Sequence, residues 1–203
     1  MVGYKIAKFL LLTMAVDLLL FTSTEVKAWW GRRRYRCSPH APPKGVAWKN
    51  HWHQSLSFEC KTSKSIRLWQ SEHSNCAEDR IHYFECGYGP GRYSERNCRW
   101  TSHYVNDYDG PVTFKCGHNG FITGVKSHYN TGARDRRFQF RCCHKSRYSI
   151  RHCKHTATVN HWDGYLSYRV PSGYFLTGAY SHHVNRYEDR RWKFEICQFK
   201  QSR

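Results

Sequence analysis

Three segments of this 203-residue chain share one pattern, in which an Asp-Arg pair is followed by alternating apolar residues and a cysteine. The segments are Asp79–Cys86, Asp135–Cys142 and Asp189–Cys197, and their aspartates are 56 and 54 positions apart. A repeat of this length is typical of a supersecondary unit that is copied within one fold. The sequence therefore predicts three copies of a unit of about 54 residues.

Each copy also has a matching segment upstream, which ends 19 positions before its aspartate. These segments are Leu56–Cys60, Val112–Cys116 and Leu166–Val170, and serines follow 11 positions after each, at Ser71, Ser127 and Ser181. Both kinds of segment alternate apolar and polar residues, as half-buried strands do. We predict an all-β fold with pseudo-threefold symmetry, β-prism-like with three Greek-key sheets. A β-trefoil is the alternative.

The N-terminus has the organisation of a secretory signal. Lys5 and Lys8 precede the apolar run Phe9–Phe21, and Val26–Ala28 offers small residues for cleavage. We predict a signal peptide over residues 1–28, a basic arm over 29–47 and a three-repeat domain over 48–203. The predicted localisation is the extracellular space or matrix.

All ten cysteines follow the predicted signal, and in a secreted chain this indicates a disulfide framework rather than metal ligation. The repeat pairs Cys60 with Cys86 and Cys116 with Cys142. Six cysteines then remain, with 15 connectivities open to them. Among these we favour the pairs Cys37–Cys76, Cys98–Cys143 and Cys153–Cys197.

The third copy departs from this pattern. Val170 stands in place of the first cysteine, and we interpret Ile196 as an insertion before Cys197. Because side chains alternate along a strand, Cys197 is expected on the face opposite Trp192 and Ile196. It should therefore bridge outside its own repeat.

The chain carries 33 Lys and Arg against 15 Asp and Glu, a net charge of +18. A secreted protein of this charge is expected to concentrate on acidic glycans, proteoglycans, matrix or cell surfaces. An anionic membrane is a further candidate partner, and export argues against nucleic acid. The predicted polyanion-binding residues are Arg32, Arg33, Arg34, Arg36, Arg134, Arg136, Arg137, Lys145, Arg147, Arg151, Arg190 and Arg191. Trp29 and Trp30 beside the first arginines form a basic-aromatic arm.

The repeated Asp-Arg pairs have two interpretations. They could bind ligand three times over, or form structural ion pairs at the start of the final strand of each copy. We favour the structural role for Asp79, Arg80, Asp135, Arg136, Asp189 and Arg190. The 14 histidines lack carboxylates at ligand spacing, so we predict no metal site, no cofactor and no catalytic residue. An acid–base enzyme of the basic ribonuclease type is the third-ranked alternative.

The three Asp-Arg segments, the doublet Cys142-Cys143 and the closing segment Asp189–Cys197 resemble the Asp-Arg-Glu/Gln-Trp repeats of the dermatopontin family. The likeness runs from about Trp48 to Phe199, although the first copy has Ile81-His82 where the family prefers an acid or amide and then Trp. The resemblance implies a non-enzymatic extracellular protein. Vertebrate members are associated with collagen fibrils, dermatan-sulfate proteoglycan and cell adhesion, and invertebrate relatives include haemagglutinating, amoebocyte-aggregating, shell-matrix and cytotoxic proteins.

The predicted function is therefore a secreted matrix or cell-adhesion protein that binds acidic glycans or proteoglycans. The competing hypothesis is a defence effector, either a haemagglutinating lectin or a membrane-active cytotoxin.

Overall fold

The computed structural model describes residues 44–202, in which eleven strands and one short 3-10 helix are found. The strands are β1 (Leu56–Glu59), β2 (Lys64–Ser74), β3 (Asp79–Tyr88), β4 (Cys98–Trp100), β5 (Val112–Lys115), β6 (Phe121–Asn130), β7 (Asp135–Cys143), β8 (Tyr148–His155), β9 (Leu166–Arg169), β10 (Tyr174–Val184) and β11 (Asp189–Gln201). The helix, Glu95–Asn97, is capped by Ser94. The all-β prediction is confirmed.

Each copy contributes a short strand and a long antiparallel hairpin. The hairpins are β2–β3, β6–β7 and β10–β11. Each hairpin turn ends on a residue with positive φ directly before the aspartate: Glu78 at 50°, Arg134 at 50° and Glu188 at 47°. Because this left-handed conformation recurs at one position, the three aspartates begin their strands in the same way.

The short strands are exchanged between copies. Strand β1 of the first copy pairs with β6 of the second, β5 of the second pairs with β10 of the third, and β9 of the third pairs with β2 of the first. The described residues thus form three sheets, ordered β1-β6-β7-β4, β5-β10-β11-β8 and β3-β2-β9. The exchange runs in one direction and closes on itself, so every sheet contains strands from two copies.

The inward faces of the three sheets share one apolar core. Trp69, Phe138, Phe140, Trp192 and Phe194 are its largest aromatic side chains, and each is almost fully buried. The rings of Trp69 on β2 and Trp192 on β11 lie 5.2 Å apart between centroids, so the two sheets that contain these strands meet in the core. Burial of such rings is a major source of stability, since each removes a large apolar area from water.

Four disulfides join described cysteines. Cys60–Cys86 and Cys116–Cys142 each link the end of a short strand to the end of a hairpin within one copy. Cys98–Cys143 and Cys153–Cys197 link the edge strands β4 and β8 to the neighbouring β7 and β11. The remaining predicted bridge, Cys37–Cys76, falls on Cys37, which lies outside the described residues.

The structure corrects the interpretation of Cys197 as a displaced copy of Cys142. Both Cys143 and Cys197 lie eight positions after their aspartates, and both bridge to an edge strand. Ile196 is therefore the counterpart of Cys142, and no residue is inserted. Val170 and Ile196 are buried in the shared core, so two apolar side chains replace the bridge that the other copies form there.

Candidate functional site

The three Asp-Arg pairs form a closed ring of ion pairs between copies. Arg80 contacts Asp189, Arg136 contacts Asp79, and Arg190 contacts Asp135, so every arginine uses the aspartate of another copy. The contact is a two-point fork in all three, with Nε and one terminal nitrogen donating to the two carboxylate oxygens. The sequence analysis expected a pairing confined to each copy, and the structure corrects this. An aspartate and an arginine that are adjacent in sequence make this forked contact less easily than an aspartate and an arginine that face each other from different strands.

Each member of the ring is also held by the backbone and by the serines that recur in the sequence. The arginines donate to Ser71, Ser127 and Ser181, at 3.4, 3.0 and 3.2 Å. The aspartates accept from the backbone N–H of His53, Asp109 and Asp163 at 2.7, 2.8 and 2.9 Å. Those three donors have φ between 57° and 63°, a conformation that turns the N–H toward the carboxylate.

The ring is not accessible to a large ligand. Its aspartates and arginines are 2–5 % exposed, and they line a cavity of only about 20 Å³. A buried charge that is fully paired is stable, whereas removal of one partner leaves an uncompensated charge. This arrangement maintains the fold and leaves no room for a sugar.

The prediction that Arg136 and Arg190 bind polyanions is therefore wrong. Both residues are 3 % exposed, and their guanidinium groups are bonded to the aspartates of the ring. Arg134, which lies above the ring, bridges Glu78 and Glu188 and is not a free cation either.

His82 lies directly beneath the ring, where the other copies have Phe138 and Trp192. It is fully buried, and its Nδ1 accepts a hydrogen bond of 3.1 Å from Trp69 Nε1. Burial, and then the nearby charges of Arg136 and Arg80, hold the pKa of His82 well below its ordinary value. The imidazole is therefore neutral at physiological pH.

Two of the histidines have carboxylates close to them in space that are remote from them in sequence. His183 lies 3.4 Å from Asp109 and 4.0 Å from Asp135, and His73 lies 3.5 Å from Asp163. His73, Asp163 and Asp189 form one compact group, and Asp109, Asp135 and His183 form another. The sequence analysis missed both groups because the aspartates come from turns in other parts of the chain. Two of those aspartates already accept the forked bonds of the ring.

A different set of cations faces outward, one residue after the buried arginines. Arg137 lies over the rings of Tyr104 and Tyr108, with its guanidinium carbon 4.4 and 4.5 Å from the ring centroids. Arg191 lies 5.4 Å from the centroid of Trp162. Cation–π contact of this kind holds a guanidinium in place without neutralising its charge.

A histidine stands opposite each of these outer arginines on the adjacent strand. His128 is in register with Arg137, and His182 with Arg191. His128 Nδ1 is 3.0 Å from the Tyr108 hydroxyl, and the ring of His182 meets that of Trp162 edge to face. Partial burial, followed by the charges of Arg191, Lys193 and Arg190, lowers the pKa of His182.

The remaining predicted polyanion-binding residues are dispersed. Arg147 and Arg151 are exposed in the region of β8, and Lys145 lies over the Tyr148 ring at 5.6 Å. Arg32, Arg33, Arg34 and Arg36 lie outside the described residues. Among the predicted residues that the structure describes, Arg137 and Arg191 combine an aromatic ring, a histidine opposite them and the absence of an ion-pair partner.

One repeated residue was missed by the sequence analysis. It is an asparagine, found at Asn50, Asn106 and Asn160. In each copy its side-chain amide donates to the backbone carbonyl of the buried arginine, and its side-chain oxygen accepts from the backbone N–H of the residue two positions after that arginine. Their separations of 56 and 54 equal those of the aspartates, so a search of every position for these intervals would have found them.

The comparisons with known proteins cover the part of the chain that carries these repeats. A family model described as Dermatopontin matches residues 50–201. The chain belongs to the dermatopontin family. The ring, its serines and its asparagines thus lie within the dermatopontin domain.

Dermatopontin relatives of several kinds are similar to this chain. A hemagglutinin/amebocyte aggregation factor of Limulus polyphemus is 40% identical over 156 residues, which is 76% of this chain and 88% of that protein. Millepora cytotoxin-1 of Millepora dichotoma is 33% identical over 73% of this chain and 65% of its own length. The dermatopontin of Biomphalaria glabrata is 32% identical over 71% of this chain and 95% of that protein. No solved structure matches the chain.

Proposed function

We propose that this member of the dermatopontin family is a secreted, non-enzymatic matrix or cell-adhesion protein that binds acidic glycans or proteoglycans. The observation that carries the proposal is the division of its arginines. Those of the ring are buried and neutralised, whereas Arg137 and Arg191 are turned outward and held over aromatic rings. A cation fixed by an aromatic ring suits an acidic sugar, because the guanidinium keeps its charge for the acidic group and is already held in position.

The net charge of the chain supports the same partner class. At +18 the protein attracts polyanions before any specific contact forms, and this attraction is screened by salt. Within residues 44–202, no helix is long and apolar enough to span a bilayer. A role outside the cell is supported by the predicted signal at residues 1–28 and by the disulfides that join the described cysteines.

Affinity for immobilised heparin over a salt series tests the proposal. We expect the purified protein to be retained at physiological salt and eluted as ionic strength rises. Passage through the column at low salt would contradict it, and so would retention that is unchanged at high salt. A glycan array with heparin as competitor then identifies the sugar class.

A defence effector is the second candidate, because two of the similar proteins are named as a hemagglutinin and a cytotoxin. The two forms of this candidate differ in their effect on membranes. Agglutination of cells without leakage indicates a lectin-like protein, whereas release of dye from anionic liposomes indicates a membrane-active one.

A further inference from the structure

We propose that the second and third copies each hold one binding site for the sulfate or carboxylate group of an acidic sugar, and that the first copy holds none. The inference rests on the proposed function and assigns it to two defined places. The Arg137 site consists of Arg137, Tyr104, Tyr108 and His128. The Arg191 site consists of Arg191, Trp162, His182 and Lys193.

The comparison of the three copies carries this assignment. At the position of Arg137 and Arg191 the first copy has Ile81, which is fully buried. Opposite it in register is Glu72, where the other copies have histidines. A hydrocarbon and a carboxylate cannot attract an anion, so the pattern of aromatic ring, cation and histidine is present in two copies only.

The outer arginines also lack a neutralising partner. Among residues 44–202, no carboxylate lies within ion-pair distance of Arg137 or Arg191, whereas Arg134, Arg141 and Arg169 are all paired. The Nε of both outer arginines is shielded and has no hydrogen-bond acceptor in that part of the chain. A ligand would meet the terminal nitrogens, since the shielded Nε is out of its reach. Two equivalent cations without a carboxylate partner in the described residues indicate that the charge serves a ligand rather than the fold.

Open grooves adjoin both sites. The groove beside Arg191 has a volume of about 280 Å³, and His182, Arg191 and Lys193 line it together with Thr113 and Tyr180. No carboxylate is among the residues that line it. The groove beside Arg137, of about 400 Å³, is also lined by Ser102, His103 and Gln139, and by one carboxylate, that of Asp107. That carboxylate lies beyond ion-pair distance of Arg137, and no other carboxylate is among the residues that line the groove. These volumes suit one or two sugar units, since they lie near the small end of ligand pockets.

The two sites lie on different sheets, because Arg137 belongs to β7 and Arg191 to β11. A chain with two separate sites can hold two glycan strands or two surfaces at once. Bridging of this kind needs no oligomer and gains strength through avidity.

Calorimetric titration with a heparin tetrasaccharide tests the assignment. We expect the wild-type chain to bind two equivalents, and Arg137→Gln and Arg191→Gln each to bind one. In the double variant the affinity should fall by about tenfold or more, as expected for the loss of charge-assisted hydrogen bonds. Heparin-coated beads should be agglutinated by the wild type and by neither single variant. Arg169→Gln is the matched control, because it removes one exposed positive charge from the outer face of the remaining sheet.

Different outcomes would overturn the two-site assignment and the proposed function. If the wild type binds but all variants titrate like Arg169→Gln, binding is spread over the basic surface and the two-site assignment is wrong. If the wild type binds anionic vesicles and no tetrasaccharide, the site belongs to a membrane surface, which overturns the inference. If the wild type is not retained on heparin at all, the proposed function itself fails. Thermal melts of each variant ensure that lost binding is not lost folding.

Discussion

Arg136 and Arg137 are neighbours in sequence and have opposite roles in the molecule, and so do Arg190 and Arg191. The first of each pair points inward and is paired with an aspartate of another copy. The second points outward over an aromatic ring and has no carboxylate partner among residues 44–202. The difference shows that net charge alone does not locate a binding surface. The side of the strand on which a charge falls determines whether it is buried in the ion pairs of the fold or is left without a carboxylate partner on the outer face.

The largest expected effect comes from breaking the inner ring. Arg136→Met leaves the Asp79 carboxylate buried without its forked partner, and we expect a loss of about 3–5 kcal/mol in the free energy of unfolding. Urea denaturation measures the change, and poor secretion should accompany it. Arg137→Met is the control. If the two variants were equally stable, the distinction between inner and outer arginines would be refuted.

The stability of the fold should also fall in acid because of His82, which is buried beneath the ring. Since its folded pKa lies well below the unfolded value, the unfolded chain takes up a proton first as pH falls through about 6.5. Stability is therefore fully present above that pH, and this residue alone contributes a loss of about 1.4 kcal/mol per pH unit below it.

His82→Phe, which introduces the residue found in the second copy, should flatten that dependence. Thermal melting between pH 7 and pH 5 compares the two proteins. The substitution also removes the acceptor for Trp69 Nε1, so the variant is expected to be somewhat less stable at neutral pH. An acid slope equal to that of the wild type would exclude His82 as its source.

A smaller effect of pH is expected at the Arg191 site, where acid should strengthen ligand binding rather than weaken the fold. An anion bound beside His182 opposes the influence of burial, Arg191, Lys193 and Arg190, and so raises the lowered pKa of this imidazole. Heparin affinity should then increase as pH falls, by at most about fivefold, the worth of one exposed ion pair. His182→Gln should remove this component. Equal pH profiles for the variant and the wild type would contradict the placement of the anion.

The smallest expected effect concerns stability at the outer sites. Arg137→Gln and Arg191→Gln should lower the free energy of unfolding by no more than about 1 kcal/mol, because each loses cation–π contact and neither loses an ion pair of the described structure. Denaturant titration of the two single variants provides the measurement. A loss comparable to that of Arg136→Met would place these arginines with the fold instead of the ligand.

The sequence permitted the prediction of the repeat, its strands and the inward aromatic residues. The intervals of 56 and 54 and the period-2 alternation carry that information directly. The exchange of β1, β5 and β9 could not be read in the same way, because a segment such as Leu56–Cys60 alternates identically whichever hairpin it joins. The partner of each arginine depends on that exchange, so the sequence predicted an ion pair in each copy but not the ring that joins the copies.

The separation of inner from outer arginines could have been derived from alternation alone. Arg136 and Arg137 are consecutive, so at most one of them can face the solvent side of β7. The aromatic support could not be derived in this way, since Tyr104 and Tyr108 reach Arg137 from the irregular loop between β4 and β5. The carboxylate neighbours of His183 were missed for the same reason.

The closed exchange of short strands has a consequence for how the chain is made. During synthesis the first hairpin emerges early, but its partner strand β9 follows only after the second copy is complete. Until then the edge of β2 presents unpaired N–H and C=O groups, and the β9 of a neighbouring molecule has the correct sequence to cover them. Intertwined dimers are therefore the characteristic misassembly of this architecture, and crowding of nascent chains should favour them.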